Sequence, residues 1–192
     1  MLEPDEVRSV TYLCDPPRPT TIVGSFYVHN DLDAAQLAGI TSITGDLVID
    51  APGLATIDLS ALATVGRDIL VQDTDFATLS LPQLATIGGE LFVALPSLTS
   101  LDVPALTSTG GYFAVSSTQL TALSAPVLAT AGDLAIETNA QLQTLAFPQL
   151  TACTGAFIVT DNPMLPTCAA QALATQCGAP SPTISGNAAA CP

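Results

Sequence analysis

Apolar positions recur along this chain with a fixed period of 22 residues. Leu54, Phe76, Leu98, Leu120, Leu142 and Met164 form one file, and Ile57, Leu79, Leu101, Leu123 and Leu145 a second. Leu62, Leu84, Leu106, Leu128 and Leu150 form a third. A period in the range of roughly 20 to 50 residues marks a solenoid, in which each repeat is one coil that buries its apolar face only against its neighbours. One unit, Ile87 to Thr109, contains two short alternating runs, Leu91-Phe92-Val93 and Leu101-Asp102-Val103. Period 2 places Leu91 and Val93 on one face and Phe92 on the other, which predicts short strands with an inward and an outward side.

Pro82, Pro104, Pro126 and Pro148 follow the second run, where a missing donor and a fixed φ end a strand. Gly45, Gly66, Gly88, Gly89, Gly110, Gly111 and Gly132 mark another corner, where a positive φ is expected. Stacking such coils about 4.8 Å apart pairs each strand with its equivalents above and below. The predicted fold is all-β, a right-handed parallel β-solenoid of about 22 residues per coil. Six coils are expected, beginning near Ile22, with Leu32 in the Leu54 file. One site strains the register: Glu137 falls where Val71, Val93, Val115 and Val159 point inward. An unpaired buried carboxylate would cost several kcal/mol. Sliding that strand by one residue turns Leu134 and Ile136 inward instead, and predicts an insertion at about residues 137 to 141.

The solenoid is expected over residues 21–166, preceded by an extended, proline-rich arm over 1–20. Residues 167–192 read as a helical cap, Cys168 to Cys177, and a tail, because a solenoid needs its last coil covered. The arm, solenoid and cap make one domain.

Composition narrows the function. The chain carries 17 acidic residues against three basic ones, a formal net charge of −14. That balance disfavours nucleic acid and anionic membrane surfaces. No apolar run reaches the roughly 18 to 20 residues of a membrane span. Four of five cysteines lie in the last 40 residues, and Cys168 and Cys177 have no common zinc spacing. Disulfides are the better reading, and they imply an oxidising, extracytoplasmic compartment. Cys153 falls at an inward position and is either a buried thiol or a bridge partner. Six stacked coils would hold Cys14 roughly 29 Å from the cap, so an intermolecular bond is one role for it unless the arm runs back along the solenoid.

The strand motif Ile43 to Asp50 (ITGDLVID), the leucine-rich coils and the segment Thr160 to Cys168 (TDNPMLPTC) before a short helix and a last cysteine resemble the receptor L domain. That family is a leucine-rich, β-helical extracellular ligand-binding module, found in growth-factor receptors and in fungal and bacterial surface proteins. The likeness covers about residues 14 to 191. It implies a secreted or cell-surface location, a non-enzymatic role, and a bridge between Cys168 and Cys191. The repeats are more regular and richer in Ala and Thr than in the animal receptors, so growth-factor binding does not carry over.

Candidate chemistry is sparse. The one histidine, His29, has no partner constellation, and no glycine-rich loop carries a phosphate-binding lysine. Asp46, Asp68 and Glu90 form an outward file, and Asp58 and Asp102 another; solvated surface charge is favoured over calcium binding, since no calcium-loop motif occurs. No catalytic residue, metal or cofactor is implied. Tyr27, Val48, Leu70, Phe92, Ala114 and Ile158 instead occupy the outward position of the first strand, flanked by acidic residues and Tyr112. The corresponding row on the second strand, Asp58, Ser80, Asp102 and Ser124, is polar. An apolar strip with a polar rim marks a contact surface, or else a segment of the chain covers it. The sequence therefore points to a recognition or adhesion module for a protein or glycan. Two alternatives are end-to-end self-assembly and ice binding through the hydroxyl files Thr64, Thr86, Ser108, Thr130 and Thr56, Thr78, Ser100, Thr144.

Overall fold

Each coil folds as a bent ribbon of short strands, because its apolar side chains come in alternating runs of three to five residues separated by Gly and Pro corners. The computed structural model describes residues 19 to 189 and residue 191, so Cys14 and all but the last two residues of the expected arm lie outside the described residues. In the coil beginning at Ala85, the strands are Thr86–Ile87, Leu91–Ala94 and Ser100–Asp102. Equivalent strands stack in parallel, in three ladders.

The first ladder runs through Thr21–Ile22, Ser42–Ile43, Thr64–Val65, Thr86–Ile87, the starts of Ser108–Ser116 and Thr130–Glu137, and Ala152–Cys153. The second runs through eight strands: Phe26–Val28, Leu47–Asp50, Ile69–Gln72, Leu91–Ala94, Ser108–Ser116, Thr130–Glu137, Phe157–Thr160 and Pro182–Ser185. The third holds Thr78–Ser80 with Ser100–Asp102, and Ala122–Ser124 with Thr144–Ala146. This is a β-solenoid of about 8 turns with ~22 residues per turn, two turns more than the sequence reading expects.

The core is the set of inward files. Leu47, Ile69, Leu91, Phe113, Leu134 and Phe157 form one on the second ladder, and Ile49, Val71, Val93, Val115, Ile136 and Val159 another, all buried. Leu62, Leu84, Leu106, Leu128 and Leu150 line the turn and are buried as expected. Each such side chain contributes about 1.5–3 kcal/mol relative to exposure, which is why the period is kept through extensive sequence change. Two expected members leave the Leu54 file. Leu32 is 79% exposed, on a helix, α1 (Asp31–Ala35), whose N-cap Asn30 accepts from the amides of Leu32 and Asp33. Ala34 and Leu37 face inward there instead. Met164 is 46% exposed, and Leu165 takes the inward place, because its amide bonds to the Asn162 carbonyl as that of Leu142 bonds to Asn139.

The register slip at Glu137 is present. Thr130 pairs with Ser108, a separation of 22, whereas Leu134 pairs with Phe113, a separation of 21, so one residue is lost between Ala131 and Asp133. It is regained after Glu137, since Leu142 is again buried 22 after Leu120. Leu134 and Ile136 point inward, and Glu137 lies outward and half-buried.

The corner glycines have a different cause from the one expected. Gly66, Gly88, Gly110 and Gly132 do not have positive φ. A Cβ on Gly88 would lie 2.1 Å from the carbonyl oxygen of Gly66, and one on Gly110 2.0 Å from that of Gly88. The stacked corner leaves no room for a side chain.

At the C-terminal end, helix α2 (Thr167–Gln176) buries Ala170, Leu173 and Ala174. The Gln176 side-chain amide donates to the carbonyls of Phe147 (2.7 Å) and Leu150 (2.9 Å), which seats the helix on the coil beneath. The expected tail is more than a tail: Pro182–Ser185 adds the last strand of the second ladder. Disulfides join Cys168 to Cys191 (Cα–Cα 5.9 Å) and Cys153 to Cys177 (5.3 Å), so Cys153 is a bridge partner and not a thiol.

Candidate functional site

The outer face of the second ladder carries three parallel columns, because strand pairing locks equivalent residues beside one another. The middle column is Tyr27, Val48, Leu70, Phe92, Ala114, Ala135, Ile158 and Thr183. Every residue expected in the strip is there, joined by Ala135, which the slipped register turns outward. Tyr112 lies in the adjacent column, beside Asp133.

Exposure along the column is uneven. Tyr27 is 54% exposed, Val48, Leu70, Phe92 and Ile158 are half-buried, and Ala114 and Ala135 are only 8% and 7% exposed. The two alanines are too short to reach the level of their neighbours. They floor a recess of about 280 Å³, walled by Phe92 and Ile158 and rimmed by Glu90, Tyr112 and Glu137. Ala114, expected on the exposed surface, is thus the floor of a dent.

The acidic column is tied to the backbone rather than freely solvated. Asp46 Oδ1 accepts from the Asp68 amide (3.2 Å), Asp68 Oδ1 accepts from the Glu90 amide (2.9 Å), and Asp133 Oδ1 accepts from the Ala156 amide. Each carboxylate satisfies an N–H at the corner of the next coil. The Ser25 hydroxyl and the Arg67 guanidinium (3.5 Å) add to Asp46. Glu90 ends this series. Burial pushes its pKa up, and the Asp68 carboxylate adds to the rise. On the far column Glu137 accepts from the Thr160 hydroxyl at 3.2 Å. In the loop before Ser60, Asp58 accepts from the Ser60 amide and hydroxyl, which hold its carboxyl below the usual range.

His29 stacks on Tyr27 with ring centroids 6.4 Å apart, and its Nδ1 lies 3.4 Å from the Asp50 carbonyl. Its backbone amide donates to Asp33 Oδ2 at 3.0 Å. Among the described residues no group of three or more His, Cys, Asp or Glu is placed to hold a metal ion. Among the same residues no helix is long and apolar enough to cross a membrane.

The hydroxyl file Ser42, Thr64, Thr86, Ser108 and Thr130 is in strict register and lines a groove of about 580 Å³ beside the corner glycines. The file at Thr78, Ser100 and Thr144 belongs to separate two-stranded sheets across the proline turn, so the two files do not form one flat array.

Two features escape the sequence reading. The first is the recess, whose signal was the slipped register itself, since Leu134 and Ile136 inward requires Ala135 outward. The second is a buried polar ladder, Thr118, Asn139 and Asn162, signalled by Asn and Thr recurring at one point of the repeat. No family model matches this chain, and no curated protein or solved structure matches it.

Proposed function

We propose that this chain is a secreted or cell-surface, non-enzymatic recognition module that binds a protein or glycan through the outer face of its second ladder, in the manner of the receptor L domains it resembles. The observation that carries the reading is the middle column. Its members are apolar from Tyr27 to Ile158 and, the buried Ala114 and Ala135 apart, partly exposed, while the outward row of the third ladder, Ser80, Asp102 and Ser124, is polar and exposed. Apolar surface of this continuity, rimmed by polar residues, is a mark of contact sites. The two disulfides favour an oxidising compartment.

End-to-end assembly is the weaker reading. Helix α2 covers the third ladder at the C-terminal end, and the last strand begins at Pro182, a residue type suited to an edge that is not extended.

The test is to probe glycan and peptide arrays with labelled protein and with a Leu70→Asp/Phe92→Asp variant whose circular dichroism and melting are unchanged. Ligands retained by the wild type and lost by the variant support the reading; ligands that bind both alike sink it.

A further inference from the structure

We infer that the recess over Ala114 and Ala135 receives a lysine or arginine side chain of a protein partner, its alkyl stem on the two alanines and its cationic head on the carboxylate of Glu90. The inference rests on the recognition reading and names the chemistry that reading leaves open.

Several observations converge. The recess is concave and its floor and end walls are hydrocarbon, which suits the three or four methylenes of a basic side chain. Its rim carries two carboxylates, Glu90 and Glu137, and no cation. Of the two, Glu137 already accepts from Thr160, whereas among the described residues no hydrogen bond or ion pair reaches the Glu90 carboxylate. Burial and the neighbouring Asp68 both disfavour its charge, so a bound cation would relieve a penalty that the free protein carries. Arg67, the basic residue nearest in sequence, is engaged with Asp46. Tyr112 lies on the same rim, an aromatic residue of the kind that attracts cations. The net charge of −14 attracts basic partners to the chain from solution.

The experiment is methyl NMR on the full chain labelled at alanine, titrated with n-butylammonium and n-butylguanidinium as side-chain probes and with n-butanol and pentanoate as controls. The expected result is saturable shifts of the Ala114 and Ala135 methyls with the two cations and not with the controls. Glu90→Gln should weaken binding by about fivefold, the loss of one partly screened ion pair. Ala135→Leu, which fills the recess and keeps every charge, should abolish it. Equal response to n-butanol, shifts spread over the whole acidic surface, affinity indifferent to both substitutions, or no response at all would each overturn the inference. If the cations fail while the arrays still lose binding in Leu70→Asp/Phe92→Asp, this inference falls and the recognition reading stands.

Discussion

Asn139 donates from its side-chain amide to Asn162 Oδ1 on the next coil, 3.1 Å away, and both side chains are fully buried. Asn139 also donates to the Val115 carbonyl (3.1 Å) and accepts from the Thr118 hydroxyl (2.7 Å), while Asn162 donates to the Ile136 carbonyl (2.9 Å). Asn187 continues the series by accepting from the Asn162 amide (3.2 Å). The ladder satisfies backbone groups at a turn where the chain leaves the second ladder and sheet pairing stops. Asn139→Ala would strand several buried partners at once, so a loss of about 3 kcal/mol or more is expected. Urea unfolding measures it, and a change below about 1 kcal/mol would mean that water replaces the amide.

Thr74 occupies the place of Thr118 two coils earlier, but the coil between carries Pro96, which has no side-chain acceptor, and the buried Thr74 hydroxyl has no partner among the described residues. Replacing it by its apolar isostere removes an unsatisfied group. Thr74→Val should therefore stabilise the protein by about 1 kcal/mol. Thermal melting checks it; a lower melting temperature would mean that the hydroxyl is satisfied in solution.

Gly88 sits under a carbonyl that leaves no space for a Cβ, since that atom would lie 2.1 Å from the Gly66 oxygen. Gly88→Ala must push two coils apart, and a loss of about 3 kcal/mol or more is expected. Gly53→Ala is the control for backbone strain alone: Gly53 has φ 86° and open space around its Cβ position, so its cost should be smaller. Equal costs would refute the stacking argument.

Glu90 holds its proton more tightly in the folded protein than in the unfolded chain, because burial and then Asp68 raise its pKa. Its contribution to stability is present below the unfolded-state value and fades as pH rises through the folded value. Glu90→Gln should thus be neutral in acid and mildly stabilising at neutral pH, the difference growing between the two. Melting of both proteins across pH 3 to 7, a range spanning the ordinary carboxylate pKa of about 4.3, gives the comparison. A variant destabilised at neutral pH would show that the carboxylate has a partner.

The solenoid was legible because burial enforces it: the files of Leu62 and Leu84, or Val71 and Val93, cannot shift without exposing the core. The same logic located the slip at Glu137, where only an outward carboxylate is tolerable. It misplaced Met164 and Leu32, since counting in steps of 22 ignores a longer turn at Asn162 and a helix at Asp31. The corner glycines were found for the wrong reason, because their crowding arises between coils and not within a residue's own φ. The outward strip was legible as a pattern, but its relief was not: Ala114 becomes a floor only beside Ala135, Phe92 and Ile158. Pairing of Cys153 with Cys177 depends on where α2 ends, which composition does not give.

The measurement that bears most directly on an open recognition face is the molar mass in solution, by light scattering over a concentration series with and without reductant. A face reserved for a foreign partner predicts a monomer of 19.5 kDa throughout. Concentration-dependent oligomers that the Leu70→Asp/Phe92→Asp substitution dissolves would contradict it, and would make this face an interface between copies of the chain.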